Sequence, residues 1–336
     1  MEVALYDPES GYYQRRDLER WGRNADYRTS PERSELFAAT CARYFANLHH
    51  ELGDPEQWTI REGGFGDGRF ALGVLSALSR DHSHVFSATR YVLEEVSADA
   101  VSRARAALSD FQACVSFESP HANGFPGPWL YFSNELLDSF PVHRVKTGGE
   151  LYVTLDSDGK FAWTTGPLST NRLARFLDDY SIKLEPNQII EINLAIDDWL
   201  EQVAKRPGPG YVITVDYGAE SADLYDPYLR PEGTLRGFSR QGFVADVLAA
   251  PGEYDITSSV NWTQVKRTGA RLGLKEVEFA SQDRFLLNIG LLDQLQLGLQ
   301  REQSGAGKAR LTTDAREMIL PGGMAASFQV LVQKSG

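Results

Sequence analysis

A glycine-rich loop is the segment of this chain best suited to binding a ligand. The loop Glu62-Gly63-Gly64-Phe65-Gly66-Asp67-Gly68 follows an apolar stretch typical of a strand and precedes Phe70 to Leu78, where apolar residues recur at helical spacing. Glycines at such a turn let backbone amides approach a ligand, because no Cβ intervenes and the first amides of a helix lack partners within it. The loop therefore predicts a nucleotide-like cofactor site, with Gly64, Gly66 and Gly68 as contacts.

Glu62, at the entrance to this loop, discriminates between cofactors. Glycine-rich loops at strand-to-helix turns also bind the pyrophosphate of dinucleotides. A carboxylate there would repel a pyrophosphate, whereas it attracts the positively charged methionine end of S-adenosyl-L-methionine. Glu62 therefore favours S-adenosyl-L-methionine, and a nicotinamide oxidoreductase is the more distant alternative.

Glu95 is the second candidate contact to the cofactor. It stands at the end of the apolar stretch Tyr91-Val92-Leu93, where an acid can accept hydrogen bonds from both ribose hydroxyls. This role also occurs in nicotinamide sites, so Glu95 supports nucleoside binding without identifying the cofactor. The structural alternative is an exposed acid that caps the next helix, although Ser97 is the better cap.

Further polar residues follow two later apolar stretches. Asn134 and Glu135 come after Pro128 to Phe132, and Asp216 comes after Tyr211 to Val215. Since the carboxyl ends of parallel strands share one edge of a sheet, these side chains are expected beside the glycine loop. Acids there could hold a guanidinium or amine in line with a methyl group. We therefore predict Glu135, Asn134 and Asp216 as catalytic residues, with Asn134 also contacting the cofactor.

Short strands and helices alternate from about residue 58 onward, which predicts an α/β fold with a parallel sheet. The predicted strands are 58–62, 91–95, 113–117, 128–132 and 211–215, and the predicted helices include 70–78, 98–108 and 189–204. A helix over 260–272, an extended segment over 275–279 and a returning edge strand over 327–332 complete the pattern. This order predicts a Rossmann-like, seven-stranded sheet of the class I methyltransferase type.

An insertion interrupts this sheet. Residues 150–155 and 160–165 alternate around Asp156-Ser157-Asp158-Gly159, which predicts a β-hairpin. We expect an amino-terminal lid (1–50), two core segments (51–142 and 189–280) around an inserted cap with the hairpin (143–188), a helical insertion (281–322) and a terminal edge strand (323–336).

Composition limits the classes of partner and cofactor. The chain has 336 residues and a net charge of −12, which disfavours binding to nucleic acid or to an anionic membrane. Its two cysteines, Cys41 and Cys114, form neither a disulfide framework nor a zinc motif, and no metal site is expected. No leader peptide or membrane-spanning stretch is apparent, so a cytoplasmic location is expected.

The chain resembles the MidA-like family of S-adenosylmethionine-dependent methyltransferases, whose mitochondrial members methylate an arginine in a subunit of respiratory complex I and help that complex assemble. The resemblance rests on the order of segments 4–13, 26–32, 62–68, 95–97, 134–138, 216–218, 233–236, 255–257, 282–286 and 321–332. It implies that Glu62 to Gly68 and Glu95 bind the cofactor, that Thr29, Ser30 and Pro31 lie close to it, and that Asn134 and Glu135 line the reaction site.

This chain departs from the family pattern at two histidines. The residues expected after segments 233–236 and 255–257 are replaced, near Gln241 and at Ser259. A histidine there could contact substrate or carry a proton. The resemblance therefore implies cofactor binding and transfer to a nitrogen or oxygen acceptor, such as a protein arginine. An inactive S-adenosylmethionine-binding assembly factor and a methyltransferase for a small biosynthetic molecule are the alternatives.

Overall fold

The structure of the chain is a computed structural model that describes residues 1–15, 35–118, 127–239, 242–244, 246–320 and 327–336. Thr29, Ser30 and Pro31, the predicted cofactor contacts of the amino-terminal segment, lie outside the described residues. The chain divides into two units. The first contains residues 1–18, 137–201 and 217–268, and the second contains residues 19–136, 202–216 and 269–336. Segment 1–50, the predicted lid, is thus divided between them.

In the described part of the chain the α-helices are α1 (Glu2–Tyr6), α2 (Glu35–Glu51), α3 (Arg69–Asp81), α4 (Ser83–Ala88), α5 (Ala98–Ala107), α6 (Asn171–Asp179), α7 (Ala195–Ala204), α8 (Ser221–Leu224), α9 (Trp262–Arg271), α10 (Gln282–Asn288), α11 (Leu291–Arg301) and α12 (Gly305–Ile319). The strands are β1 (Trp58–Gly63), β2 (Thr89–Glu94), β3 (Val115–Glu118), β4 (Trp129–Asn134), β5 (His143–Lys146), β6 (Gly149–Leu155), β7 (Phe161–Gly166), β8 (Ile189–Ile192), β9 (Gly210–Ala219), β10 (Arg236–Ser239), β11 (Gly242–Val244), β12 (Asp255–Thr257), β13 (Val260–Asn261), β14 (Leu274–Ser281) and β15 (Phe328–Ser335).

The second unit is built on a seven-stranded sheet in the order β14-β15-β9-β4-β1-β2-β3. The pairs β1–β2, β1–β4, β2–β3 and β4–β9 are parallel. All six residues of β1 are buried, as expected of a parallel strand with both faces covered. Helix α3 covers part of one face, where the rings of Phe70 and Phe132 stack with centroids 4.4 Å apart. The predicted α/β sheet is therefore present.

The last strand does not lie at the edge of this sheet, so the prediction of an edge strand within 323–336 was wrong. β15 runs antiparallel to β14 and lies between β14 and β9. Val330, Leu331 and Val332 are all buried, so both faces of β15 are covered. β14 is the edge strand, and most of its residues are exposed or partly exposed. Consecutive buried apolar residues are the signature of an inner strand.

The first unit contains a four-stranded antiparallel sheet in the order β7-β6-β5-β8 and a three-stranded sheet in the order β11-β10-β12. The predicted hairpin is confirmed as β6 and β7. The single helix predicted over 189–204 was wrong, because Ile189–Ile192 forms β8 and pairs with β5. The helix begins only at Ala195, after Asn193, whose Oδ1 accepts a hydrogen bond from the Ile196 amide (3.3 Å). β-branched isoleucines favour a strand when a partner strand is present.

Candidate active site

The carboxyl ends of four neighbouring strands bring the predicted site residues of the second unit to one edge of the sheet. Gly63, at the end of β1, is paired with Glu94 of β2 and with Ser133 of β4. On the other side of β4, Asn134 is paired with Val215 of β9. Ligands of open parallel sheets bind outside such carboxyl ends. The predicted residues of the second unit from Glu62 to Glu135 therefore share this edge.

The glycine loop has the backbone geometry that requires glycine. Gly64, Gly66 and Gly68 have φ values of +66°, +60° and +81°, in the left-handed region that other residues rarely adopt. A Cβ on Gly64 would lie 3.0 Å from the Leu136 side chain, and one on Gly68 would lie 2.7 Å from the Cβ of Ala104 in α5. Gly68 is also the residue before α3. The loop thus presents backbone at the start of a helix, as a cofactor site requires.

Glu62 is buried within the strand just before this loop. Its carboxylate accepts a hydrogen bond from the Tyr91 hydroxyl (2.7 Å). Burial raises the pKa of Glu62 against the opposing hydrogen bond from the Tyr91 hydroxyl, and with the added effect of the negative charges of Asp67 and Glu95 the pKa is about 8. Sequence reasoning assigned no role to Tyr91 or Asp67, although Asp67 stands in the loop itself.

This arrangement of carboxyl groups fits S-adenosyl-L-methionine. Glu62, Asp67 and Glu95 interact electrostatically, so a cation placed among them relieves their repulsion. The amino group and sulfonium of the cofactor are such cations. Glu62 would hold the methionine end of the cofactor, and Glu95 would hold its ribose. The loop amides would contact the atoms of the cofactor that face the backbone. The cofactor supplies a methyl group bound to a positively charged sulfur.

Binding of S-adenosyl-L-methionine at pH 7 is expected to release a proton from Glu62. The raised pKa leaves most Glu62 protonated at this pH, and an adjacent cation favours the ionised form. The α-amino group of the ligand has a pKa of about 8. Beside a carboxylate it would take up a proton, and this uptake has the opposite sign to the release from Glu62. Calorimetry in buffers of different ionisation enthalpy measures the net number of protons released.

The Glu62→Gln variant is the control, because it retains the side-chain shape and loses the titrating group. Its binding enthalpy should no longer show the proton release of the wild type, and its affinity should fall. Net proton uptake by the wild type, or the same release from the variant, would contradict this role for Glu62.

Glu94 and Glu95 are adjacent but have different surroundings. Glu94 is buried, and its carboxylate binds Arg61 (2.6 Å), Arg206 (3.3 Å) and the Tyr131 hydroxyl (2.8 Å). Glu95 is half-buried, and its Oε1 accepts hydrogen bonds from the amides of Val96 (2.7 Å) and Ser97 (3.0 Å). Ser97 itself caps α5 through the Ala100 amide, as predicted. Glu94 therefore stabilises the sheet, and Glu95 is the accessible acid at the strand end.

The backbone beyond β4 holds Glu135 in a specific position. Glu135 has a φ of +52°, a conformation that costs energy in residues other than glycine and recurs at functional sites. Its amide donates to the Val215 carbonyl (2.9 Å), and its Oε1 accepts a hydrogen bond from Asn134 Nδ2 (3.1 Å). The buried Oδ1 of Asn134 has no hydrogen-bond partner among the described residues, so it can accept one from a ligand.

Asp216 lies beneath this edge rather than at the end of its strand. It is fully buried, and β9 continues to Ala219 because β13 pairs with Gly218 and Ala219. A Cβ on Gly218 would lie 2.0 Å from the Val260 carbonyl oxygen, so the close pairing depends on glycine. In this structure, Asp216 is therefore a buried side chain inside β9.

The first unit has its own cluster of polar residues around Asp138. This side chain is buried, and burial raises its pKa to about 6 against the opposing effects of the Tyr217 hydroxyl and the Arg236 charge. The Arg236 guanidinium lies 4.6 Å from the centroid of the Tyr217 ring. Ser259, one position of an expected histidine, donates its amide to Thr234 Oγ1 (3.1 Å), and Gln241 lies outside the described residues.

The sheet order and the glycine loop define a class I S-adenosylmethionine-dependent methyltransferase. Residues 40–280 match the family model "Putative S-adenosyl-L-methionine-dependent methyltransferase", so the chain belongs to this family. The predictions of methyltransferase fold, S-adenosyl-L-methionine cofactor and enzymatic class are confirmed by this match and by the similar proteins. The roles assigned to individual site residues stay predictions.

Similar proteins extend over almost the whole chain. The mouse mitochondrial protein arginine methyltransferase NDUFAF7 is 25% identical over 93% of this chain and 74% of its own length. The human protein of the same name is 22% identical over 98% of this chain and 77% of its own length. A Burkholderia thailandensis protein crystallised with S-adenosyl-homocysteine is 28% identical, with a TM-score of 0.86 over 99% of this chain and 85% of that chain.

Proposed function

We propose that this methyltransferase transfers the methyl group to a guanidinium nitrogen of an arginine side chain in a protein. The observation that carries the proposal is the similarity, over more than nine tenths of the chain, to mouse and human proteins named protein arginine methyltransferases. The acidic edge supports it, because a planar cationic guanidinium binds best to carboxylates.

The relatives are mitochondrial by name, and the cytoplasmic location of this chain stays a prediction.

Glu135 is the residue that would hold the acceptor. Its carboxylate, already bonded to Asn134, can accept hydrogen bonds from two guanidinium N–H groups and fix the orientation of the reacting nitrogen. The unpartnered Oδ1 of Asn134 is a further acceptor beside it. The carboxyl group of Asp216, buried in the neighbouring strand β9, would in its ionised form stabilise a cation at this edge.

The transfer itself requires a nitrogen lone pair, which a fully delocalised guanidinium does not offer. The bond from nitrogen to the methyl carbon forms as the bond from that carbon to sulfur breaks. The nitrogen loses one proton in the same process, and Glu135 is the group proposed to receive it. The products are methylarginine and S-adenosylhomocysteine, so atoms and charge balance.

Two peptides that differ only in arginine or lysine at one position test the acceptor class. With the arginine peptide we expect S-adenosylhomocysteine to form together with a mass increase of one methylene group on that arginine, measured by mass spectrometry. The lysine peptide should remain unmodified, because an ammonium group cannot form the same two hydrogen bonds to Glu135. Peptides can be taken from digests of a cell extract, which samples many sequences around arginine.

Two outcomes would contradict the proposal. Methylation of lysine as fast as arginine would remove the argument from guanidinium geometry. Methylation of a small molecule from the same extract, with arginine unmodified in every protein, would instead assign the enzyme to a small-molecule acceptor. Both results would leave the methyltransferase class intact.

A further inference from the structure

A cluster of two histidines and an aspartate lies in the second unit, away from the edge described above. His49 is near the end of α2, Asp54 follows in the turn before β1, and His84 is near the start of α4. Their ligand atoms all lie within 4.8 Å of one another. The ring of His49 contacts Trp58, the first residue of β1, with centroids 5.1 Å apart. The cluster is therefore at the amino end of β1, whereas the glycine loop follows its carboxyl end.

The hydrogen bonding of His49 leaves one ring nitrogen available as a ligand. Nε2 lies 3.0 Å from the carbonyl oxygen of Pro55, and because a carbonyl only accepts, Nε2 carries the proton of this bond. In the neutral ring, Nδ1 then presents a lone pair. The side chain is 2% exposed, and its Nδ1 has no hydrogen-bond partner among the described residues. A backbone carbonyl bound to the other ring nitrogen is the usual arrangement of a metal-binding histidine.

The carboxylate of Asp54 lies beside this free ring nitrogen of His49. Its Oδ1 lies 3.4 Å from His49 Nδ1, and its Oδ2 lies 2.7 Å from His50 Nδ1. Two ligand atoms of a tetrahedral zinc ion, each about 2.0–2.1 Å from the metal, are about 3.3 Å apart. The His49–Asp54 pair already has this spacing, and His50 stands behind the carboxylate as a supporting hydrogen-bond partner.

We propose that His49, Asp54 and His84 bind a divalent transition-metal ion of the zinc type. Two imidazoles and one carboxylate form a set of nitrogen and oxygen donors that suits zinc and disfavours calcium or magnesium, which prefer oxygen alone. The exposed side chains of Asp54 and His84 can close the remaining distance by rotation around buried His49. Three protein ligands leave one position for water. This proposal departs from the sequence-based expectation of no metal site, which rested on the lack of a zinc motif.

The ion would connect three elements at the amino edge of the sheet. It would fix the end of α2, the turn that leads into β1, and α4, which otherwise contact through side chains such as those of His49 and Trp58. Its location at the amino end of β1 places it apart from the predicted site of methyl transfer. Binding therefore adds to the stability of the folded chain by mass action.

Zinc titration of the full chain after removal of metal tests the site. We expect one zinc ion per chain, measured by competition with a chromogenic chelator, and a rise in melting temperature. His84→Ala and Asp54→Asn should each weaken zinc binding at least about 100-fold, since changes in supporting residues alone cost 10- to 100-fold. Both side chains are exposed, and asparagine tolerates the positive φ of Asp54 (+50°), so both variants should fold and bind S-adenosyl-L-methionine as the wild type does.

Two further variants separate a ligand set from general attraction of metal to histidine. His50→Ala, which removes the supporting partner of Asp54, should weaken zinc binding by about 10-fold. His82→Gln is the matched control, because His82 immediately precedes α4, its side chain does not cap that helix, and it lies outside the cluster. Its zinc affinity should equal that of the wild type.

Cobalt(II) in place of zinc provides a second readout. Its visible absorption should indicate four-coordinate nitrogen and oxygen ligation and should disappear in His84→Ala. The proposal would be overturned by a lack of zinc uptake, by wild-type affinity in both His84→Ala and Asp54→Asn, by equal loss in His82→Gln, or by a thiolate charge-transfer band that assigns the metal to Cys41 or Cys114. With wild-type affinity in the ligand variants, His49 and Asp54 would be an ion pair only.

Discussion

Replacing Glu135 by glutamine is expected to lower the rate of methyl transfer at saturating cofactor by about 100- to 1000-fold, because two charge-assisted hydrogen bonds of roughly 1.5–3 kcal/mol each are weakened as the acceptor is aligned. Glutamine keeps the shape of the side chain and its bond from Asn134. Affinity for S-adenosylhomocysteine should therefore remain nearly unchanged. Single-turnover kinetics with an arginine acceptor and calorimetry with S-adenosylhomocysteine measure the two quantities separately.

Glu95→Gln is the matched contrast, since it makes the same chemical change at the same edge of the sheet. If Glu95 binds the ribose, this variant should weaken cofactor binding by roughly 1–3 kcal/mol and retain turnover once the cofactor is saturating. The two variants should thus fail in different measurements. Equal losses of cofactor affinity would show that Glu135 belongs to the cofactor site and would end the division of roles.

The edge of the sheet could be predicted because it follows from local sequence. Each strand that ends there is a short apolar run followed by a polar residue or glycine, and parallel strands place such ends together. Glu95, Asn134 and Glu135 were located in this way without any knowledge of contacts. The register of β1 with its neighbours on both sides then agrees with the expectation.

The errors arose where partners distant in sequence decide the structure. Ile189–Ile192 has apolar residues that suit a helix as well as a strand, and only its pairing with β5 makes it a strand. β15 was assigned to the edge because it comes last in the chain, yet β14 lies outside it. Position in a sheet depends on topology, which the order of residues along the chain does not reveal.

Side-chain partners across the sheet were also beyond sequence reasoning. Tyr91 is an apolar strand residue by pattern, yet its hydroxyl binds Glu62. Arg61 appeared as one polar residue in a strand, although it is buried and paired with Glu94 (2.6 Å) and Glu118 (3.0 Å). Buried charges of this kind are retained only when paired. The pairing lies at the strand ends that carry Glu62 and Glu95, the predicted cofactor contacts.

Replacing Gly66 by valine is expected to abolish measurable binding of S-adenosylhomocysteine. The φ of +60° at Gly66 disfavours any β-branched residue, and the side chain would stand where loop amides are predicted to approach the cofactor. Losing two hydrogen bonds to a charged ligand, at roughly 1.5–3 kcal/mol each, corresponds to about 100-fold or more in affinity. Calorimetry measures this loss directly.

The control for backbone strain is Gly273→Val. Gly273 also has a positive φ (+85°), belongs to the second unit and has no heavy atom within 4 Å of an added Cβ. Both variants therefore carry the strain of a branched residue in the left-handed region, and thermal unfolding should show a similar loss of stability in the two. Only Gly66→Val should lose the cofactor, because only its loop follows Glu62 at the carboxyl edge of the sheet. Loss of binding in both variants would mean that backbone strain, rather than the position of Gly66, causes the loss. Retained binding in Gly66→Val would mean that the cofactor amides lie elsewhere.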